Sequence, residues 1–314
     1  MAARSSLEKS YTGRALAVIK IGRSLAGLLW LLPALLLPST AVDAGALERL
    51  FAPAAQAWIF WDAHGDAAGI DHSAWRRFLQ AHVKHGDDGI NRVDYAKVTT
   101  EEHNALREYI HGLEQVGIRG YSRDEQLAYW INLYNAATVS LVLDHYPVAS
   151  IRDIDISPGF LSIGPWGKKL LHIEGKAVSL NDIEHRILRP LWKDPRLHYA
   201  LNCASLGCPN LEATAYTAAS TPALLEHAAR AYVNDPRGVT IAGGELRVSS
   251  IYSWFREDFG GGDAGVIKHL RHYAAPELAT ALAGFDRIDD DNYDWALNDT
   301  DPVDTTAVTP EEFD

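Results

Sequence analysis

Apolar positions along the chain first fall at helical spacing. Ser73–His85 carries Trp75, Phe78, Leu79 and Val83 on one side, and Gly86 to Gly89 closes that segment before a short extended stretch over Asn91–Val98. Glu101–Leu113 repeats the amphipathic pattern and ends at Gly117 and Gly120. Ser122, with Glu125 three residues on, forms a capping box that opens a helix over Asp124–His145. That helix is apolar nearly all round (Leu127, Trp130, Ile131, Leu133, Tyr134, Val139, Leu141, Val142). A helix without a polar face is buried, so it is the expected centre of the core, and Pro147 prevents its continuation.

The pattern then shortens. Ile151–Lys169 is irregular, whereas Leu170–Ile173 and Lys176–Val178 flank Glu174-Gly175 and predict a tight β-hairpin. Ser179 is expected to cap a helix through Arg189, with Asp182 as its N3 acid and Pro190 as its stop. Arg196–Asn202 alternates, which predicts a strand running into Cys203. Thr221 and Pro222 serve as N-cap and first residue of a helix ending near Asn234. Val239–Ile241 and Leu246–Val248 around Gly243-Gly244 form a second hairpin. Ile251–Phe259 and Gly265–Tyr273 read as helical, and Phe285–Leu297 as extended and rich in aspartate.

No linker divides these segments and no period of 20–50 residues repeats. The expected fold is therefore one α+β domain, helix-dominated around a buried central helix, with a small antiparallel sheet made of hairpins. It spans 71–299, after a lead-in over 45–70 marked by Trp58-Ile59-Phe60-Trp61. An acidic tail over 300–314 follows, of a composition that stays disordered.

The first 44 residues have a different character. Lys20 and Arg23 precede an apolar run from Leu25 to Leu37, and Val42-Asp43-Ala44 meets the rule for cleavage after Ala44. The run is too short for the roughly 20 residues that span a bilayer, and Pro33 interrupts it. The expectation is a cleaved signal peptide and a mature protein that is periplasmic or secreted, in an oxidising compartment, with no stable membrane span. An uncleaved N-terminal anchor is the competing reading. The formal charge of −12 becomes more negative without the leader, which leaves 24 basic against 39 acidic side chains. So acidic a surface repels phosphate backbones and disfavours nucleic acid as a partner.

Candidate chemistry gathers around Cys203 and Cys208, the two cysteines, spaced C-x4-C. One reading is a disulfide closing the short loop, with Gly207 and Pro209 letting the chain double back. A second makes Cys203 a nucleophile needing a nearby base. His172 in the hairpin, His185 beside Glu184, and His198 are the candidate imidazoles; on a regular strand His198 and Cys203 point to opposite faces. A third is a metal site from both thiolates and two histidines, but C-x4-C lacks the usual zinc spacing, and neither a metal nor another cofactor is expected. Asn132 and Asn135 share a face of the buried helix and must be hydrogen-bonded. They tie loops to the core, or one of them, Asn135 foremost, orients a catalytic imidazole or donates to an oxyanion. Glu184 is either a first-turn acid favoured by the helix dipole or the partner of a base.

The runs WINLYNA (Trp130–Ala136), SLNDIEHRILRP (Ser179–Pro190), DPRLHYALNCASLGCPNL (Asp194–Leu211) and YDWALND (Tyr293–Asp299), with Val93–Tyr95, resemble the domain-of-unknown-function 547 (DUF547) family over roughly residues 71–299. The resemblance implies an exported bacterial member of a family that also occurs as a C-terminal domain of plant proteins with a leucine-zipper segment, and it brings no agreed activity. Members similar to the plant branch keep a Cys matching Cys203 but have Ser-Pro in place of Cys208-Pro209, and often lack histidines matching His185 and His198. That implies a role for Cys203 independent of Cys208, and counts against a fixed pair with either histidine. Two functions compete. One is a binding or scaffold domain with a polar pocket around Cys203 and an envelope protein, peptide or glycan as partner. The other is a thiol hydrolase or acyltransferase, similar to papain or transglutaminase by fold-level analogy alone.

Overall fold

Residues 52–159 and 163–302 are described by a computed structural model of the chain. The expected leader over 1–44 and the tail beyond residue 302 lie outside the described residues.

Helix α1 (Ser73–His82) ends earlier than its apolar spacing suggests. Val83 turns extended and the chain enters β1 (Val83–His85), paired antiparallel with β2 (Asn91–Val93). Helix α2 (Thr100–Glu114) starts at a full capping box between Thr99 and Glu102. Helix α3 (Arg123–His145) is the centre of the core, buried continuously from Ala128 to Val142. Its Ser122 cap accepts from the Glu125 N–H, but the box is not reciprocal: the Glu125 carboxylate takes the N–H groups of Gly69 and Ile70 instead. Trp61, buried in the segment before α1, packs edge-on to Trp130 at 5.1 Å.

Both hairpins form where expected, as β3 (Lys169–Ile173) with β4 (Lys176–Ser179), and as β5 (Val239–Ala242) with β6 (Glu245–Ser249). A last strand, β7 (Asp290–Asn292), pairs parallel with β6, which hairpin patterning does not anticipate. The fold is helix-dominated α+β, with three small sheets among the described residues.

Pro190 does not stop its helix. After β4 the chain makes π-helical turns over Asp182–Leu188 and continues as α4 (Arg189–Trp192). The wide turn bonds the Arg189 N–H to the Glu184 carbonyl, and Pro190 has no N–H to give, so the carbonyls of His185 and Arg186 are left over. The lead-in supplies what is missing: Gln56 N–H donates to the His185 oxygen at 2.9 Å and Trp58 N–H to the Arg186 oxygen at 2.8 Å.

The strand expected over Arg196–Asn202 is a helical turn, α5 (Leu197–Ala200). Asp194 starts it, its carboxylate accepting from the Arg196 N–H and its carbonyl from the Leu197 N–H. Leu197 through Ala200 are all buried, so the apparent alternation did not mark a two-faced strand. The chain becomes extended only at Leu201. Helix α6 (Thr221–Val233) starts one residue earlier than expected, with Ser220 at the N-cap position but making no side-chain capping bond. Beyond β6 come α7 (Ser250–Trp254), a 3-10 turn over Arg256–Phe259, α8 (Gly262–Tyr273), and α9 (Pro276–Leu282), for which the sequence pattern gave no helix. A second, tyrosine-rich core forms here around Tyr199, Tyr232, Tyr252 and Phe259. Among the described residues no helix is long and apolar enough to cross a membrane.

Candidate functional site

Two buried amides of α3 position the loop that bears the cysteines. Asn135 donates to the Ala200 carbonyl at 2.8 Å and accepts from the Asn202 N–H at 2.9 Å. Asn132 brackets Tyr216 in the same way, N–H and carbonyl together. Each asparagine mimics a strand's backbone and ties irregular chain to the core, and neither faces an imidazole. Asn202 continues the clamp by accepting from Ala204 N–H and donating to the Pro209 carbonyl.

Cys203 and Cys208 are joined as a disulfide, so neither carries a free thiol. Cys208 is buried and Cys203 half-buried. Between them Ala204 sits at φ 62°, a left-handed conformation that costs a non-glycine residue about 1 kcal/mol. Gly207 is required by close approach, because a Cβ there would lie 2.8 Å from the Asp294 nitrogen. The loop is also held from outside. Leu206 N–H donates to the Ala296 carbonyl, Gly207 N–H to that of Asp294, and Asn298 N–H to that of Ala204. Arg237 donates to the carbonyls of Leu206 and Cys208. Closing so short a loop with a disulfide adds only about 2 kcal/mol, so hydrogen bonds carry much of its order.

The side-chain polar neighbours of the sulfurs are hydroxyls. Tyr293 Oη lies 3.1 Å from Cys203 Sγ and 3.0 Å from Cys208 Sγ, and Ser205 Oγ donates to Tyr293 Oη at 2.9 Å. Burial holds the Tyr293 hydroxyl well above its ordinary pKa, so it stays protonated. Among the described residues no imidazole hydrogen-bonds to Cys203.

The expected base residues instead meet one another. Glu184 Oε1 lies 3.8 Å from the Nδ1 atoms of both His185 and His198, and its other oxygen accepts from the Tyr134 hydroxyl at 3.1 Å. His198 donates from Nε2 to Asp258 at 2.7 Å, and the same Asp258 oxygen accepts from Arg189 Nε at 2.5 Å. Arg189 also donates to the Pro53 carbonyl and, at 2.9 Å, to His185 Nδ1. A guanidinium can only donate, so His185 Nδ1 is the unprotonated nitrogen. Burial agrees, pushing the His185 pKa from 6.5 down to about 4. The paired Arg189 and His198 hold the Asp258 carboxyl well below the usual carboxylate range against its own desolvation. Phe255 floors the cluster, stacked on His198 at 4.6 Å with the Arg189 guanidinium 4.4 Å above its ring.

Of the sequence candidates, Glu184, His185 and His198 are gathered into one network, and Asn135 supports the loop between it and the sulfurs. His172 is not brought in. It is exposed on β3, with its backbone N–H held by Glu114. Sequence reasoning missed Arg189, Asp258, Ser205 and Tyr293. Arg189 could have been found four residues after His185 on the same helical face, and Tyr293 lies inside the YDWALND run, but Asp258 has no local signal.

Beside the disulfide stands a half-buried aromatic wall. Trp254 stacks on Trp295 at 5.6 Å, Tyr293 lies 4.6 Å from Trp295, and Trp166 meets Trp295 edge-on at 5.7 Å. The indole N–H groups of Trp254 and Trp295 are buried and have no partner among the described residues. Among the described residues no group of three His, Cys, Asp or Glu side chains is arranged to hold a metal ion.

No curated protein and no solved structure matches the chain. A family model does, over residues 118–233, a span that contains α3, the π-helical turns and the cysteine loop but neither Val93–Tyr95 nor Tyr293. That model is of the DUF547 family, described as proteins of unknown function, and residues 118–233 of this chain are similar to it.

Proposed function

We propose that this is an exported module that binds an envelope protein, peptide or glycan at the aromatic wall beside the Cys203 loop. It does not hydrolyse its ligand through a cysteine. The observation that carries this reading is the state of the sulfurs: Cys203 is bonded to Cys208, and its polar contacts are two hydroxyls. A thiol hydrolase or acyltransferase needs a free thiolate with a base in hydrogen-bond reach. Here His198 is engaged by Asp258 and His185 by Arg189. The wall supplies what binding sites use, apolar rings with a few placed donors. The indole N–H groups of Trp254 and Trp295 have no acceptor among the described residues; both are buried, so a ligand's carbonyl or hydroxyl oxygen would meet them only after the rings turn. A disulfide also suits the oxidising compartment that a cleaved leader over 1–44 would reach.

Glycan fragments solubilised from a bacterial cell wall, titrated against intrinsic tryptophan fluorescence, test the reading. The expected result is a saturable change lost in Trp254→Ala and Trp295→Ala while the far-UV spectrum is kept. A short peptide mixture in the same assay separates the two ligand classes. Hydrolysis of an ester or amide reporter that disappears in Cys203→Ser would overturn it. N-terminal sequencing of the secreted protein should begin at Gly45.

A further inference from the structure

We propose that Cys203–Cys208 is an exchangeable disulfide, which accepts an incoming thiol at Cys203 and releases Cys208. This goes beyond ligand binding, because it gives the bond a reaction of its own with the thiols of a protein or small-molecule partner.

Three observations carry it. The first is asymmetric exposure: Cys203 is partly exposed and Cys208 is buried, so Cys203 is the half of the bond that an incoming thiolate meets first. The second is the setting of the leaving sulfur. Cys203 N–H points at Cys208 Sγ at 2.9 Å and the Tyr293 hydroxyl lies 3.0 Å from it, two donors for the thiolate that bond cleavage creates. Ser205 Oγ donates to Tyr293 Oη, which leaves the Tyr293 proton for the sulfurs. The third is that the loop is held by contacts other than the bond, through Asp294, Ala296, Asn298 and Arg237. Opening the disulfide therefore leaves the two sulfurs facing each other, ready to close again.

The step balances as follows. A partner thiolate attacks Cys203 Sγ, a partner–Cys203 disulfide forms, and the pair from the broken Sγ–Sγ bond goes to Cys208, which departs as thiolate beside Tyr293. A second partner thiolate attacks the partner's own sulfur in the mixed disulfide and releases Cys203. The partner dithiol is oxidised to a disulfide, the Cys203–Cys208 pair is reduced, and the two thiol protons end on the two cysteines.

The test uses the folded full chain in graded mixtures of reduced and oxidised glutathione, with acid quench, alkylation and intact mass. The expected result is reversible opening in native buffer with an unchanged circular dichroism spectrum. Cys208→Ser, which keeps the accessible sulfur, should take up glutathione from its disulfide at least tenfold faster than Cys203→Ser. Tyr293→Phe removes one donor from the released thiolate and should shift the equilibrium about tenfold toward the disulfide. A bond that opens only in denaturant, or two single-cysteine variants that react equally fast, would overturn the proposal. The rate comparison does not need Tyr293→Phe to fold. None of these readouts involves the wall's ligand, so a failed binding titration and a failed exchange experiment remain distinguishable.

Discussion

Two polar regions flank the chain between α5 and the cysteine loop, and they are stabilised differently. Behind α5, Arg189, Asp258, His185, His198 and Glu184 form a charged network closed by mutual pairing. At the loop, Cys203, Cys208, Ser205 and Tyr293 form an uncharged corner of sulfurs and hydroxyls. Charges taken out of water must each find a partner or the fold loses several kcal/mol. A disulfide and two hydroxyls carry no such obligation and can be rearranged at little cost. Stability should therefore reside in the first region, and reactivity in the second, although the histidines that suggest catalysis lie in the first.

Acid should have the largest effect, through buried imidazoles in the first region and elsewhere in the core, and it should spare the sulfur corner. Burial holds His185, His72 and His269 near pKa 4 against an ordinary 6.5. Their folded values lie below the unfolded ones, so the unfolded chain takes up protons first and stability falls as pH drops from about 6.5 to 4. For His185 the loss is about 3 kcal/mol. Asp258, whose folded pKa is also depressed, adds a further loss below about pH 4, where the unfolded carboxyl protonates. Thermal melts across this range should show the decline, and His185→Gln should flatten part of it. A flat profile between pH 6.5 and 4 would mean that these imidazoles are not buried neutral.

Breaking the network directly comes next. Arg189→Met leaves Asp258 with His198 alone and takes the donor from His185 Nδ1 and the Pro53 carbonyl, for an expected loss of about 3–5 kcal/mol in urea unfolding. Asn135→Ala should cost about 2 kcal/mol, since it strands the Ala200 carbonyl and Asn202 N–H inside the core. The smallest effect is expected at the corner itself. The double variant Cys203→Ser/Cys208→Ser should lose about 2 kcal/mol or less, because external hydrogen bonds keep the loop in place. If the double variant were costlier than Arg189→Met, the contrast between the two regions would be reversed.

Features set by neighbouring residues were the legible ones. The Ser122 cap and an unbroken apolar run announced α3, and Glu174-Gly175 and Gly243-Gly244 announced the hairpins. The misread segments depend on partners distant in sequence. Pro190 fails to stop its helix because Gln56 and Trp58, over 130 residues earlier, take the orphaned carbonyls. Leu197–Ala200 imitated a strand because neighbours cover every side of that turn. At the site, His185 and Glu184 were visible as a pair on one turn, but Asp258, which fixes His198, stands 60 residues away. A sequence also does not state whether two cysteines at C-x4-C are joined, since that depends on where Tyr293 and the 294–298 segment bring the loop.

The most direct test is alkylation of the native protein with iodoacetamide near neutral pH, followed by intact mass, with and without prior reduction. Without reductant no adduct should form; after reduction one adduct should appear readily on Cys203 and a second on the buried Cys208 more slowly or on denaturation. Rapid labelling of Cys203 in the unreduced protein would contradict the disulfide and return the thiol-enzyme reading to first place.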